Sequence, residues 1–93
     1  MKNQQPTHKE NMNRLARIEG QINGIRRMIE EEQYCIDIIT QIQAARAALQ
    51  SMSNMILKKH MENCVVEAFQ SEKPEAIEKN IKEVMTVISR MQR

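Results

Sequence analysis

Two cysteines and one histidine are the residues of this chain best suited to binding a soft metal ion. His60 and Cys64 stand four positions apart, the spacing that stacks two side chains on one face of a helix. Two thiolates and one imidazole favour Cu(I) or zinc over magnesium, calcium or manganese. Structural zinc normally takes four protein ligands, so a set of three favours trigonal Cu(I). In the alternative interpretation a buried cysteine packs as a small hydrophobic side chain and His60 is a surface residue.

The remaining cysteine, Cys35, cannot join the other two ligands within one chain. Residues 34–69 contain neither Gly nor Pro and are dense in apolar side chains, which predicts one helix about 50 Å long. On such a helix Cys35 and His60 are 60 − 35 = 25 residues, or about 37 Å, apart. In an antiparallel pair of long helices, Cys35 of one chain lies opposite His60 and Cys64 of the other. The sequence therefore predicts two equivalent sites in a two-fold symmetric dimer.

The rest of the chain predicts one shorter helix on each side of the long one. Apolar residues spaced three and four apart predict a first helix from Asn11 to about Glu32 and a third that begins at Pro74. Residues 1–10 are expected to form a flexible N-terminal arm, ahead of a single domain over residues 11–93. The expected fold class is all-α, with helices in the order short, long, short.

Size and composition favour a helical oligomer. With 2 Gly and 2 Pro in 93 residues, the chain lacks the turn residues that a β-sandwich or barrel needs. A chain this short buries only about 60% of its unfolded surface, so we expect it to complete its core with other copies. Gly20 and Gly24 fall inside the first helix, which indicates that a neighbouring helix or a ligand backbone packs closely there.

Positive charge is concentrated near the N-terminus. Residues 1–29 carry six Lys and Arg against two Glu, a local balance of 6 − 2 = +4, whereas the whole chain carries +2. Such a segment suits a phosphate backbone better than a membrane. Arg14, Arg17 and Gln21 share one face of the first helix and are predicted to contact duplex DNA, the alternative being an ordinary solvated face.

Membrane, secreted and catalytic classes are disfavoured by the sequence. No apolar run approaches the roughly 20 residues of a membrane span, and no signal peptide is recognised, so a cytoplasmic protein is expected. An enzyme that uses Cys35 as a nucleophile would need a nearby base and an oxyanion site, and the sequence indicates neither. A copper carrier, which binds the metal but no specific DNA, stays open as another class.

Three motifs taken together resemble the family of copper-sensitive operon repressors. They are residues 14–25 (RLARIEGQINGI), residues 34–42 (YCIDIITQI), and the pair His60 and Cys64. The resemblance covers about residues 11–91. It implies an all-α dimer of three-helix protomers, paired further into a flat tetramer. It also implies a repressor that binds operator DNA without a helix-turn-helix and releases it on sensing an inducer.

Within that family, the resemblance implies Cu(I) as the inducer. Cys35, His60 and Cys64 match the ligand pattern of the copper sensors. Nickel or cobalt sensors carry His where Cys64 stands, and they use an N-terminal His that His8 could imitate. Formaldehyde sensors lack the last cysteine. Persulfide sensors keep both cysteines but usually lack the histidine, and a sulfur sensor that joins Cys35 to the partner's Cys64 is the alternative.

Two further positions bear on the resemblance to copper sensors. Those proteins couple the metal-binding histidine to a tyrosine and to a glutamate on the third helix. Tyr34 matches the tyrosine, whereas the glutamate position falls at Lys79 or Asn80. The resemblance therefore supports the set of metal ligands more strongly than it supports the coupling between metal binding and DNA release.

Overall fold

The chain forms three consecutive α-helices. A computed structural model describes residues 6–71 and 74–91, leaving out the side chains at 64, 65, 67–69 and 71. Within these residues the helices are α1 (Met12–Glu30), α2 (Cys35–Ser71) and α3 (Pro74–Met91). A short 3₁₀ turn, Lys9–Asn11, leads into α1. The predicted all-α fold with a short, a long and a short helix is confirmed.

The end of α1 is set by a left-handed residue. Glu32 has φ 54°, and the N–H of Gln33 donates to the carbonyl oxygen of Met28 at 3.0 Å. The N–H of Glu32 donates to the carbonyl of Ile29 at 3.1 Å. These two hydrogen bonds form a Schellman motif, which satisfies the last carbonyls of a helix and turns the chain away. The helix therefore ends at Glu30, two residues before the predicted end.

Helix α2 begins directly at Cys35 and is the long helix that the sequence predicts. The carbonyl oxygen of Tyr34 accepts hydrogen bonds from the N–H groups of Asp37 at 3.0 Å and Ile38 at 3.2 Å. Asp37 lies in the first turn, where a carboxylate is favoured by the helix dipole. With no Gly or Pro to interrupt it, the helix continues for 37 residues.

Helix α3 begins at Pro74, as the sequence predicts. Glu75 lies in its first turn and Arg90 in its last, and both charges suit the helix dipole. Val84 and Ile88 are half-buried, whereas Ile81 and Met85 are exposed. No helix within the two described ranges is long and apolar enough to cross a membrane.

The chain divides into two compact units, of which Thr7–Ile56 is one and Leu57 onward belongs to the other. In the first unit the buried apolar side chains among the described residues are Ile18 on α1 and Ala45 on α2, at 3% and 6% exposure. Other large apolar side chains stay exposed in the same unit, among them Ile22 and Ile29. Each unit by itself therefore leaves apolar surface that another molecule could cover.

The glycines of α1 face open space. A Cβ atom built on Gly20 or Gly24 meets no heavy atom within 4 Å among the residues that the structure describes. The close neighbour that the sequence predicts at these positions is not found among the described residues and stays a prediction.

Candidate metal centre and nucleic-acid interface

Cys35 presents a free and exposed thiol at the first residue of α2. Its position is fixed by the turn that ends α1 and by the Tyr34 carbonyl, which accepts the first hydrogen bonds of α2. Tyr34 itself is exposed and precedes the helix. An exposed thiol is available both to a metal ion and to sulfur chemistry.

The second predicted ligand, His60, is half-buried on α2. Cys64 follows it by four residues on the same helix, and its side chain lies outside the described residues. Among the side chains that the structure describes, no group of three His, Cys, Asp or Glu could hold a metal ion. The assembly of Cys35, His60 and Cys64 into one site is therefore a prediction.

The face of α2 that carries Cys35 is open in this chain. The open stripe consists of five positions spaced alternately by four and three residues: Cys35, Ile39, Ile42, Arg46 and Leu49. Its three large apolar members are 50%, 42% and 43% exposed, in that order. A neighbouring side of the helix, about 100° around the axis, is covered, since Ala45 is buried and Ala48 and Met52 are half-buried. The thiol therefore lies at the end of an apolar surface that has no cover among the described residues.

The predicted DNA-contacting residues lie together on α1. Arg14, Arg17 and Gln21 are all exposed, and their spacing of three and four places them on one face of the helix. Gly24 continues this face by one more step of three residues. Two guanidinium groups and one amide on a single face can reach phosphate oxygens or base edges.

The segment before α1 contains buried polar atoms that the sequence does not reveal. Asn11 is 4% exposed, and neither atom of its side-chain amide has a hydrogen-bond partner in the described part of the chain. His8, which the sequence places in the flexible arm, is half-buried, and its Nδ1 also lacks a partner there. The carbonyl of His8 accepts the backbone N–H of Asn11 at 2.9 Å. A polar residue before a helix predicts an ordinary cap, so no feature of the sequence indicates this burial.

The two candidate positions for the glutamate of the copper sensors both lie on α3. Lys79 is exposed and Asn80 is half-buried. Neither residue carries a carboxylate, so neither can accept a hydrogen bond in the way that a glutamate would.

The sequence matches a known family over most of its length. The family model described as metal-sensitive transcriptional repressor matches residues 7–90. The copper-sensing transcriptional repressor RicR of Mycobacterium tuberculosis is 53% identical over 55 residues, which cover 59% of this chain and 57% of RicR. The copper-sensing transcriptional repressor CsoR of Bacillus subtilis is 46% identical over 59 residues, or 63% of this chain and 58% of CsoR. The chain thus spans less than three fifths of the length of these curated relatives.

Two solved structures resemble the chain along almost all of its length. The copper-sensing repressor CsoR with Cu(I) from Geobacillus thermodenitrificans is 36% identical, with a TM-score of 0.80 over 100% of this chain and 95% of that one. The nickel-responsive transcriptional regulator InrS is 31% identical, with a TM-score of 0.76 over 98% of this chain and 99% of that one. On the match over residues 7–90, the chain belongs to the family of metal-sensitive transcriptional repressors.

Proposed function

We propose that this protein is a Cu(I)-responsive transcriptional repressor, which binds operator DNA and releases it when Cu(I) binds. The observation that carries this proposal is the exposed Cys35 thiol at the end of an open apolar stripe, together with His60 and Cys64 one turn apart on the same helix. Its relatives RicR and CsoR are copper-sensing repressors, which supports the same function here. We infer a cytoplasmic regulator and not an enzyme.

The proposed Cu(I) site is shared between two copies of the chain. Cys35 of one copy and the partner's His60 and Cys64 supply two thiolates and one imidazole, a set whose softness suits Cu(I). The exposed Ile39 and Ile42 beside Cys35 support this arrangement, because apolar surface next to the thiol favours a second helix against it. Antiparallel pairing of α2 gives a homodimer with two such sites, and pairing of dimers gives a flat homotetramer.

The proposed DNA surface is the exposed face of α1 that carries Arg14, Arg17 and Gln21. Its two guanidinium groups neutralise phosphates, and the amide of Gln21 can reach a base edge or a phosphate oxygen. In a tetramer this face occurs several times, so one duplex can contact more than one copy. Binding then depends strongly on salt, because each phosphate contact releases counterions.

Release of DNA follows from linkage between the two sites. Cu(I) can shift the protein away from its DNA-binding form provided that it binds another form more tightly. A shared site couples two chains, so ligation alters how the α2 helices pair and thereby how the α1 faces are presented. By reciprocity, operator DNA lowers the affinity for Cu(I) by the same factor.

Operator binding with and without Cu(I) tests this function. In fluorescence anisotropy, the wild-type protein should release its operator on adding Cu(I), whereas His60→Ala protein should bind the operator and stay bound. His8→Ala is the matched control, since it removes the other imidazole of the chain and should leave release unchanged. Cu(I)-driven release by the His60→Ala protein would contradict the proposal, and a wild-type protein that binds Cu(I) but no operator would be a copper carrier.

The exposure of Cys35 also supports a second candidate, a sensor of persulfides. In this alternative a reactive sulfur species oxidises Cys35 and the partner's Cys64, which become joined through sulfur while the sulfur species is reduced. His60 has no role in that chemistry. Release by a persulfide in both wild-type and His60→Ala proteins, without release by Cu(I), would favour this candidate.

A further inference from the structure

The spacing along α2 has mirror symmetry. Counted forward from Cys35, steps of 4, 3, 4 and 3 residues reach the open stripe: Ile39, Ile42, Arg46 and Leu49. Counted backward from Cys64, the same steps reach a second set: His60, Leu57, Ser53 and Gln50. A second copy that runs antiparallel can therefore match every position of the first set with one of the second. The register that does so is also the register that brings Cys35 to the partner's Cys64.

In this register one pair of facing residues, Arg46 and the partner's Ser53, consists of two polar side chains, of which only Arg46 is charged. Arg46 lies between Ile42 and Leu49 in the open stripe, and its guanidinium makes one long hydrogen bond, from Nη1 to Oε1 of Gln43 at 3.4 Å. Its match is Ser53, which is also exposed. A hydroxyl oxygen can accept from the guanidinium, so the pair can be satisfied when two copies meet.

We propose that Arg46, through the partner's Ser53, sets the direction and register of the paired α2 helices and thereby positions the shared ligands. This role depends on the proposed shared site. A single polar residue in an apolar seam is a known means of fixing register. Arg46 is a positioning residue, because it acts through the pairing and does not touch the inducer.

Two of the three competing arrangements bring Arg46 against a like charge. If the helices ran parallel in register, Arg46 would face the partner's Arg46. In an antiparallel pair, a slip of seven residues in one direction moves Arg46 from the partner's Ser53 to the partner's Arg46, which is again a contact between like charges. A slip of seven residues in the opposite direction moves Arg46 from the partner's Ser53 to the partner's His60. Like charges brought together in a helix seam disfavour the parallel pairing and the first slip, whereas the opposite slip moves Cys35 away from the partner's Cys64.

Paired substitutions at Ser53 and Ser51 test the contact. Ser51 is exposed on the same helix, but two residues away it points about 200° around the axis, off the open stripe. Ser53→Glu should tighten dimerisation about tenfold in sedimentation equilibrium, and Ser53→Lys should weaken it by a similar factor. Ser51→Glu and Ser51→Lys should each change it less than about twofold. Equal effects at the two positions would overturn the proposal.

A swap of the two residues separates register from general stability. Arg46→Ser and Ser53→Arg should each weaken both dimerisation and the Cu(I) affinity measured by chelator competition. The double variant Arg46→Ser/Ser53→Arg restores the same contact in the same register, so both quantities should return to within about threefold of wild type. A double variant as weak as the singles would overturn the proposal. If wild-type dimers bound no Cu(I), the shared site would fail, while rescue of dimerisation by the swap would still support the Arg46 contact.

Discussion

The backbone N–H of Gln33 donates to the carbonyl oxygen of Met28 at 3.0 Å, across a turn in which Glu32 has φ 54°. This contact ends α1 and lets α2 begin at Cys35, so it places the thiol at the first residue of α2. A glutamate in the left-handed region is unfavourable, because its Cβ crowds the following carbonyl. The turn before Cys35 is therefore strained at Glu32.

Glycine at position 32 should relieve this strain. Glu32→Gly should raise the free energy of unfolding by about 1 kcal/mol, because glycine adopts the left-handed conformation without a Cβ clash. Glu31→Gly is the matched control, since Glu31 has φ −87° and gains nothing from glycine. Denaturant unfolding at fixed protein concentration measures both. A Glu32→Gly protein that is no more stable than Glu31→Gly would contradict the strain.

Asn11 should be replaceable by an apolar residue without loss. Its side chain is buried, makes no capping hydrogen bond and has no partner in the described part of the chain. Asn11→Leu, which keeps the same branching and number of heavy atoms, should raise the free energy of unfolding by about 1 kcal/mol. The exposed Asn13 supplies the control, because Asn13→Leu should change stability by less than about 0.5 kcal/mol. A clear loss of stability in Asn11→Leu would contradict an Asn11 side chain without a hydrogen-bond partner.

Gly24 should separate stability from DNA binding. Because an added Cβ meets no described atom within 4 Å, Gly24→Ala should raise the free energy of unfolding by about 1 kcal/mol through helix propensity. The same methyl group should weaken operator binding, since Gly24 continues the face of Arg17 and Gln21. Ala16→Gly calibrates this effect, because it lowers helix propensity and should lower the free energy of unfolding by a similar amount. If Gly24→Ala destabilised the protein, the close neighbour at this face would be another copy of the chain and not DNA.

Loss of one phosphate contact should appear in the salt dependence. Arg14→Ala should weaken operator binding and reduce the slope of log K against log salt by about 1. Arg26→Ala is the control, because Arg26 is exposed about 120° away around α1 and lies off the proposed DNA face. Anisotropy titrations at several salt concentrations measure both slopes. Equal slopes for Arg14→Ala and wild type would remove Arg14 from the interface.

The order and type of the helices were predictable from spacing, but the end of α1 was not. Apolar residues three and four apart, Pro74 and the absence of breakers after Cys35 are local features, so they determine local structure. The turn at Glu32 is different, because the left-handed position usually holds glycine and here holds a residue of ordinary helix propensity. The prediction therefore extended α1 by two residues.

The sequence predicted where the candidate ligands lie along α2, but it could not show which face of α2 is open. Ile, Leu, Met and Ala occur on every side of this helix, so periodicity alone does not choose between faces. The packing of the first unit makes the choice, since it covers Ala45 and leaves Ile42 and Leu49 exposed. That choice reveals Arg46 as the charged member of the open stripe.

The sharing of one Cu(I) site between two chains is tested most directly by mixing two defective proteins. Cys35→Ser and Cys64→Ser chains, each with a different affinity tag, are co-expressed, and the mixed dimer is purified through both tags. Each defective protein alone should bind Cu(I) weakly. The mixed dimer should hold one intact site, made of Cys35 from the Cys64→Ser chain and the partner's His60 and Cys64, and so bind half as much Cu(I) as wild type with wild-type affinity. A mixed dimer that binds Cu(I) as weakly as its parents would contradict a shared site.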